Sequence, residues 1–183
     1  MQAKTMDIAQ YVSRRLAFDE PLGPEEAGIF RRRLEKSFSV LPPDVLALFL
    51  SQKRVVTFQV SKNPGFPVGM HTAVHGGPDE RSYEVIMLRE HQEWSEDCFI
   101  GGFLRELGHV VCQKPPDSEW PRTRGDRARF KEQLEYVADA VVWEWGLRHY
   151  SVSYIQATFP QHWVERIVQK VSEMVLQRGE WTM

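Results

Sequence analysis

Apolar residues recur every three or four positions along most of the chain and every second position between residues 54 and 88, and this change of period divides it into elements. Ile8, Val12 and Leu16 predict a first helix over residues 6–18, ended by Pro21 and Gly23. Pro24 at a first helical position, with Glu25 and Glu26 near the positive end of the helix dipole, opens a second helix carrying Phe30 and Leu34. After Pro42-Pro43-Asp44 a short apolar helix runs from Val45 to Leu50. The period then drops to two. Residues 54–60, 69–75 and 82–88 predict three strands, with turns at Asn63-Pro64-Gly65 and Gly76-Gly77-Pro78-Asp79. In the second strand Met70, Thr72 and Val74 alternate against His71, Ala73 and His75.

The helical period returns with Ile100, Phe103, Leu104, Leu107 and Val111, a stripe suited to a core, while Arg105 and His109 share a different face. Gly101, Gly102 and Gly108 each cost the helix about 1 kcal/mol against alanine, which predicts that something packs closely against it. Residues 113–125, rich in proline and charge, read as a surface loop. A further helix over residues 131–143 buries Leu134, Val137, Ala138, Val141 and Val142 and sets Glu135 and Asp139 four apart on one face. Trp143 and Trp145 read as packing anchors. Residues 151–157 give no clear type. Pro160 opens a last helix with Trp163, Ile167, Val171, Met174 and Val175 on its apolar side, ended by Gly179. The run Arg31-Arg32-Arg33 with Lys36 reads as a solvated helix face balanced by Glu35 and the acids before it.

Glu106 and His109 have the spacing of the last four positions of His-Glu-x-x-His, in which two histidines on one helical face bind zinc and the glutamate acts as general base. Together with Glu135 and Asp139 on a second helix, 26 residues after His109 and onward, this resembles the gluzincin metallopeptidases, the thermolysin-like group that includes the minigluzincins. The resemblance covers roughly residues 54–147. It implies an α+β, zincin-like fold: a small mixed sheet of about three strands packed on the motif helix and a second ligand-bearing helix. The whole is expected to form one domain, helical over residues 1–53, with the sheet and motif helices over 54–147 and a helical part over 148–183. By position it makes Glu106 the base, His109 and Glu135 zinc ligands and Asp139 the residue that orients the first histidine. It also makes Glu84, Val85, Ile86, Met87 and Leu88 an edge strand beside the cleft, able to pair with an extended peptide.

Arg105 departs from that pattern, standing where the first histidine belongs. A guanidinium has no lone pair for a metal and stays protonated, so the expected outcome is a site that has lost zinc and hydrolysis and needs no cofactor. Its planar fork of donors is suited to bridging carboxylates, so an Arg105 pairing with Asp139 or Glu135 is expected. The cleft would then serve to bind a peptide or protein partner. Two other readings stay open: an active zinc hydrolase with a non-standard ligand set, and a structural or interaction protein that resembles peptidases by accident. His71, His75 and His91 are the histidines that could complete a metal site, although each reads more simply as a surface or strand-edge residue.

Composition narrows the class without naming the chemistry. With 42% apolar and 26% charged residues in 183, the chain can bury a substantial core. A formal net charge of −2 gives no electrostatic case for nucleic acid or an anionic membrane as partner. No run reaches membrane-spanning length, and residues 1–6 lack the apolar core of a secretion signal. Cys98 and Cys112 lie at opposite ends of the motif helix, about 21 Å apart if it is continuous, too far to pair. Reduced thiols and a cytoplasmic location are expected.

Overall fold

The computed structural model describes residues 7–51, 54–62, 69–76 and 80–180. The chain begins with α1 (Ile8–Arg15), whose Asp7 N-cap accepts the Gln10 amide at 2.7 Å. It then passes through β1 (Leu16–Phe18), α2 (Pro24–Ser39), α3 (Pro43–Leu50), β2 (Val55–Ser61), β3 (His71–His75) and β4 (Ser82–Leu88). A 3-10 turn over Arg89–Glu93 leads into α4 (Glu96–Val111), which is followed by α5 (Arg124–Glu144), α6 (Arg148–Thr158) and α7 (Gln161–Glu180). The result is an α+β arrangement around a mixed four-stranded sheet of order β1-β2-β4-β3. β1, β2 and β4 run parallel and β3 lies antiparallel at the edge beside β4.

Several expectations change. The first helix ends at Arg15, because Leu16, Ala17 and Phe18 leave it to pair with Phe58, Gln59 and Val60, giving a fourth strand. Leu16 had continued the four-residue apolar spacing, and only the distant partner strand reveals its extended state. The second strand starts at His71 rather than residue 69, the last helix runs on through Gly179 to Glu180, and residues 151–157 lie within α6. Glu84, Val85, Ile86, Met87 and Leu88 do not form an edge: β4 is flanked by β2 on one side and β3 on the other, and Val85, Ile86 and Met87 are buried. The two edges are β1 and, beside β4, His71–His75. The turn at Asn63-Pro64-Gly65 and residues 77–79 of the second turn lie outside the described residues.

α4 is the element on which both halves of the core close. Every residue from Cys98 to Val110 is buried, so the helix is enclosed on all sides rather than along one stripe. Toward the sheet, Phe103 meets Phe38 and Phe58 with ring centroids 5.6 and 5.5 Å apart, and Phe38 in turn meets Tyr11 and Phe49. This aromatic cluster joins α1, α2, α3 and β2 to α4. On the opposite side Cys98 packs with Ala140, Tyr154, Ile155, Val164, Ile167 and Val171 from α5, α6 and α7. The three glycines allow the approach. A Cβ at Gly101 would overlap the Tyr150 carbonyl, one at Gly102 would lie 3.0 Å from the Tyr154 ring, and one at Gly108 would lie 2.6 Å from the Ala138 carbonyl oxygen.

Arg31, Arg32 and Lys36 of the basic run are exposed as expected, but Arg33 is not simply solvated. Its guanidinium donates to the His91 and Trp94 carbonyls at 2.9 and 2.7 Å and lies over the Phe99 ring, so it ties α2 to the turn before α4. Among the described residues no helix is long and apolar enough to cross a membrane. Both cysteines are free, Cys98 within α4 and Cys112 at its C-cap.

Candidate functional site

Two side chains of α4 and two of α5 converge, and the helices supply the reason. Ser95 caps α4 and Thr123 caps α5 by accepting backbone amides, which fixes where each helix starts and so which residues face each other. Gly108 lets α4 press against Ala138 of α5. At that contact Arg105 and His109, one turn apart, face Glu135 and Asp139, also one turn apart.

Arg105 is 7% exposed and Asp139 is fully buried. The guanidinium bridges both acids of α5: Nη2 lies 3.1 Å from Glu135 Oε2, and Nε lies 3.1 Å from Asp139 Oδ2. The second contact is a charge pairing rather than an aligned hydrogen bond, since neither atom has a hydrogen-bond partner. Asp139 Oδ1 instead accepts from Ser151 Oγ at 3.0 Å, and Ser151 accepts from the Trp143 indole at 3.0 Å. Glu135 Oε2 also meets His109 Nε2 at 3.2 Å, so one carboxylate oxygen is shared by Arg105 and His109. The Tyr154 ring closes the site over the guanidinium at 5.5 Å.

Glu106 points the other way, toward the sheet. It is 4% exposed and accepts from Thr72 Oγ1 of β3 at 2.6 Å. The Thr72 carbonyl in turn accepts from Lys114 Nζ at 2.9 Å, and Lys114 is itself 4% exposed. The motif helix, the edge strand and the loop after α4 are therefore linked by one polar chain.

Burial and neighbouring charge set the protonation of this cluster in opposite ways. Burial disfavours the charge on Arg105, but Asp139 and Glu135 outweigh it and hold the guanidinium above its ordinary pKa. Glu135 is likewise penalised by burial, yet Arg105 and His109 hold its carboxyl below the usual carboxylate range. For Glu106 burial prevails, assisted by Glu135, and its pKa is raised despite His109, the Thr72 hydrogen bond and Arg105. Burial also raises Asp139, opposed by Arg105 and Ser151.

No family model, curated protein or solved structure matches this chain. The site is therefore read from its own residues. The structure brings Arg105, His109, Glu135 and Asp139 together, with Glu106 on the adjoining face of α4. Neither His75 nor His91 joins them. His75 lies half-exposed 3.5 Å from Glu84, and His91 folds back so that its Nδ1 accepts the Leu88 amide at 3.1 Å while its ring stacks on Trp94. His71 comes nearer, within electrostatic reach of Glu135 and Lys114. Among the described residues no three His, Cys, Asp or Glu side chains form a group able to hold a metal ion. Sequence reading did not single out Thr72, Lys114, Ser151 or Tyr154. Thr72 had a signal, the inward side of the strand alternation. Ser151 and Tyr154 had none, because the helix carrying them lacks a clear apolar period.

Proposed function

We propose that this chain is a zincin-like domain whose own guanidinium supplies the charge a metal would bring, and that it binds an extended peptide or protein segment rather than hydrolysing one. The observation that carries the reading is the Arg105 bridge to Glu135 and Asp139, at 3.1 Å each, on the face shared with His109. A catalytic zinc takes three protein ligands and keeps a fourth position for water. Here His109 and Glu135 are the two donors available, they are paired with each other, and the third position is a cation. This donor set does not fit the ion. Asp139, which a histidine ligand would need for orientation, serves instead as a counter-charge.

The binding half of the proposal rests on β3. It is one of the sheet's two outer strands, and its Thr72 is bonded to Glu106, so a segment adding along the outer edge of β3 would lie beside the motif helix. Main-chain hydrogen bonds would supply affinity without the bond-breaking chemistry that an activated water provides.

Zinc titration of the wild-type chain and of Arg105→His, followed by calorimetry, tests the reading. The wild type is expected to take up no stoichiometric zinc at micromolar concentration, and Arg105→His to gain a site of about one equivalent. One equivalent of tightly held zinc in the wild type would overturn the proposal, as would a folded Arg105→His chain with no affinity gained.

A further inference from the structure

Beyond the Arg105 cluster, the loop after α4 and the first turns of α5 form a concavity of about 390 Å³. Its walls carry Lys114 from the loop and Arg124, Arg127 and Lys131 from α5, which recur at three- and four-residue spacing and so share one helix face. His71 at the end of β3 and the Trp120 indole complete it.

The charge balance of these walls is one-sided. Asp117 is the one acid lining the cavity, and it is occupied by Arg127 at 3.3 Å. Among the described residues Lys114, Arg124 and Lys131 have no carboxylate within ion-pair distance. For Arg124 and Lys131, which are exposed, water suffices. Lys114 is different. Its ammonium group is taken out of water, donates to the Thr72 carbonyl and lies 5.8 Å from the centre of the Trp120 ring, which leaves donor capacity and a positive charge without an anion in contact. Buried charges are costly unless paired. Trp120 also carries Arg127 at 5.2 Å and is anchored by its indole N–H to the Pro115 carbonyl at 3.1 Å, so it holds two cations in place on the cavity wall.

The geometry points to a binding pocket for a small-molecule phosphate monoester, with the phosphate held by Lys114, Arg124 and Lys131. Four cations against one acid leave three positive charges. A monocarboxylate would neutralise a minor share, whereas a phosphate monoester brings about two negative charges and three acceptor oxygens. The cavity has room for the phosphate and a short carbon skeleton and falls in the size range of small-ligand sites. A polynucleotide is a poor match, because the basic side chains are confined to one concavity of a chain whose net charge is −2. The pocket stands independently of the reading of Arg105, although the two sites are joined through Lys114, Thr72 and Glu106.

Calorimetric titration of the full chain with glycerol 2-phosphate, inorganic phosphate and acetate at one fixed ionic strength tests this inference. Glycerol 2-phosphate is expected to bind at one site with a Kd below about 1 mM, inorganic phosphate more weakly, and acetate not measurably. Arg124→Ala and Lys131→Ala alter exposed side chains and should keep the fold, yet each should weaken the ester about tenfold. No saturation by the ester, equal response to acetate, tighter binding of inorganic phosphate than of the ester, or unchanged affinity in both variants would overturn the assignment.

Discussion

Replacing Arg105 with methionine removes the charge while keeping much of the stem's volume. It leaves Asp139, with no exposure, beside Glu135. Two contacts of 3.1 Å disappear, together with the guanidinium over Tyr154. Breaking a buried pair from one side costs about 3–5 kcal/mol, since the surviving charge is stranded. Loss of the cation–π contact adds about 1 kcal/mol. Against a domain stability of about 5–15 kcal/mol, the variant should unfold at much lower urea concentration, with an unchanged slope. The Asp139→Asn partner separates charge from packing. In the double variant no carboxylate is stranded at position 139, so the two losses should fall short of additive by more than about 1 kcal/mol. Urea titrations of the four proteins at pH 7.5 complete the cycle. A loss below about 1 kcal/mol for Arg105→Met, or strict additivity, would refute the claim that the guanidinium balances these acids.

Two further outcomes follow from packing and titration. Gly108→Ala should destabilise by about 1–3 kcal/mol, because overlap with the Ala138 carbonyl exceeds the gain in helix propensity of about 1 kcal/mol; Gly28→Ala in α2 meets only the movable Arg32 side chain and should stabilise slightly, and thermal melts of both will show whether the signs differ. His71, its pKa pushed down to about 4 by burial and then by Lys114, binds fewer protons folded than unfolded between about pH 4 and 6.5, so stability should fall as pH is lowered across that window, by about 1–2 kcal/mol once solvent screening of the partly exposed ring is allowed for. His71→Asn should flatten that part of the stability–pH curve; an unchanged slope would count against the burial of a neutral imidazole.

The elements that sequence revealed best are those whose own residues carry the reason for their conformation. α4 has its apolar stripe, and α5 brings Glu135 and Asp139 onto one face by spacing alone. The expected Arg105 bridge is present, and to both acids, because Glu135 and Asp139 lie one turn apart on the helix that faces it. What stayed hidden depends on distant partners. Leu16 to Phe18 is extended only because β2 receives it, and β4 ceased to be an edge because β1 and β2 lie on its far side. Arg33 looked solvated within a basic run, yet two carbonyls some sixty residues away take up its donors. Lys114 sat in a proline-rich loop that reads as surface, and nothing local announces that its ammonium group turns inward to a strand carbonyl.

The enclosure of α4 also governs how the molecule opens. A helix covered on one side can fray or lift while the rest of a domain stays intact, but one clasped between an aromatic cluster and three further helices has no route outward that spares either half of the core. Its central amides should therefore exchange with solvent hydrogen only when the entire chain unfolds, while β3, paired along a single side, opens far more often. Arg105 and His109 should then sit on the element slowest to open, while the strand bonded to Glu106 is among the quickest.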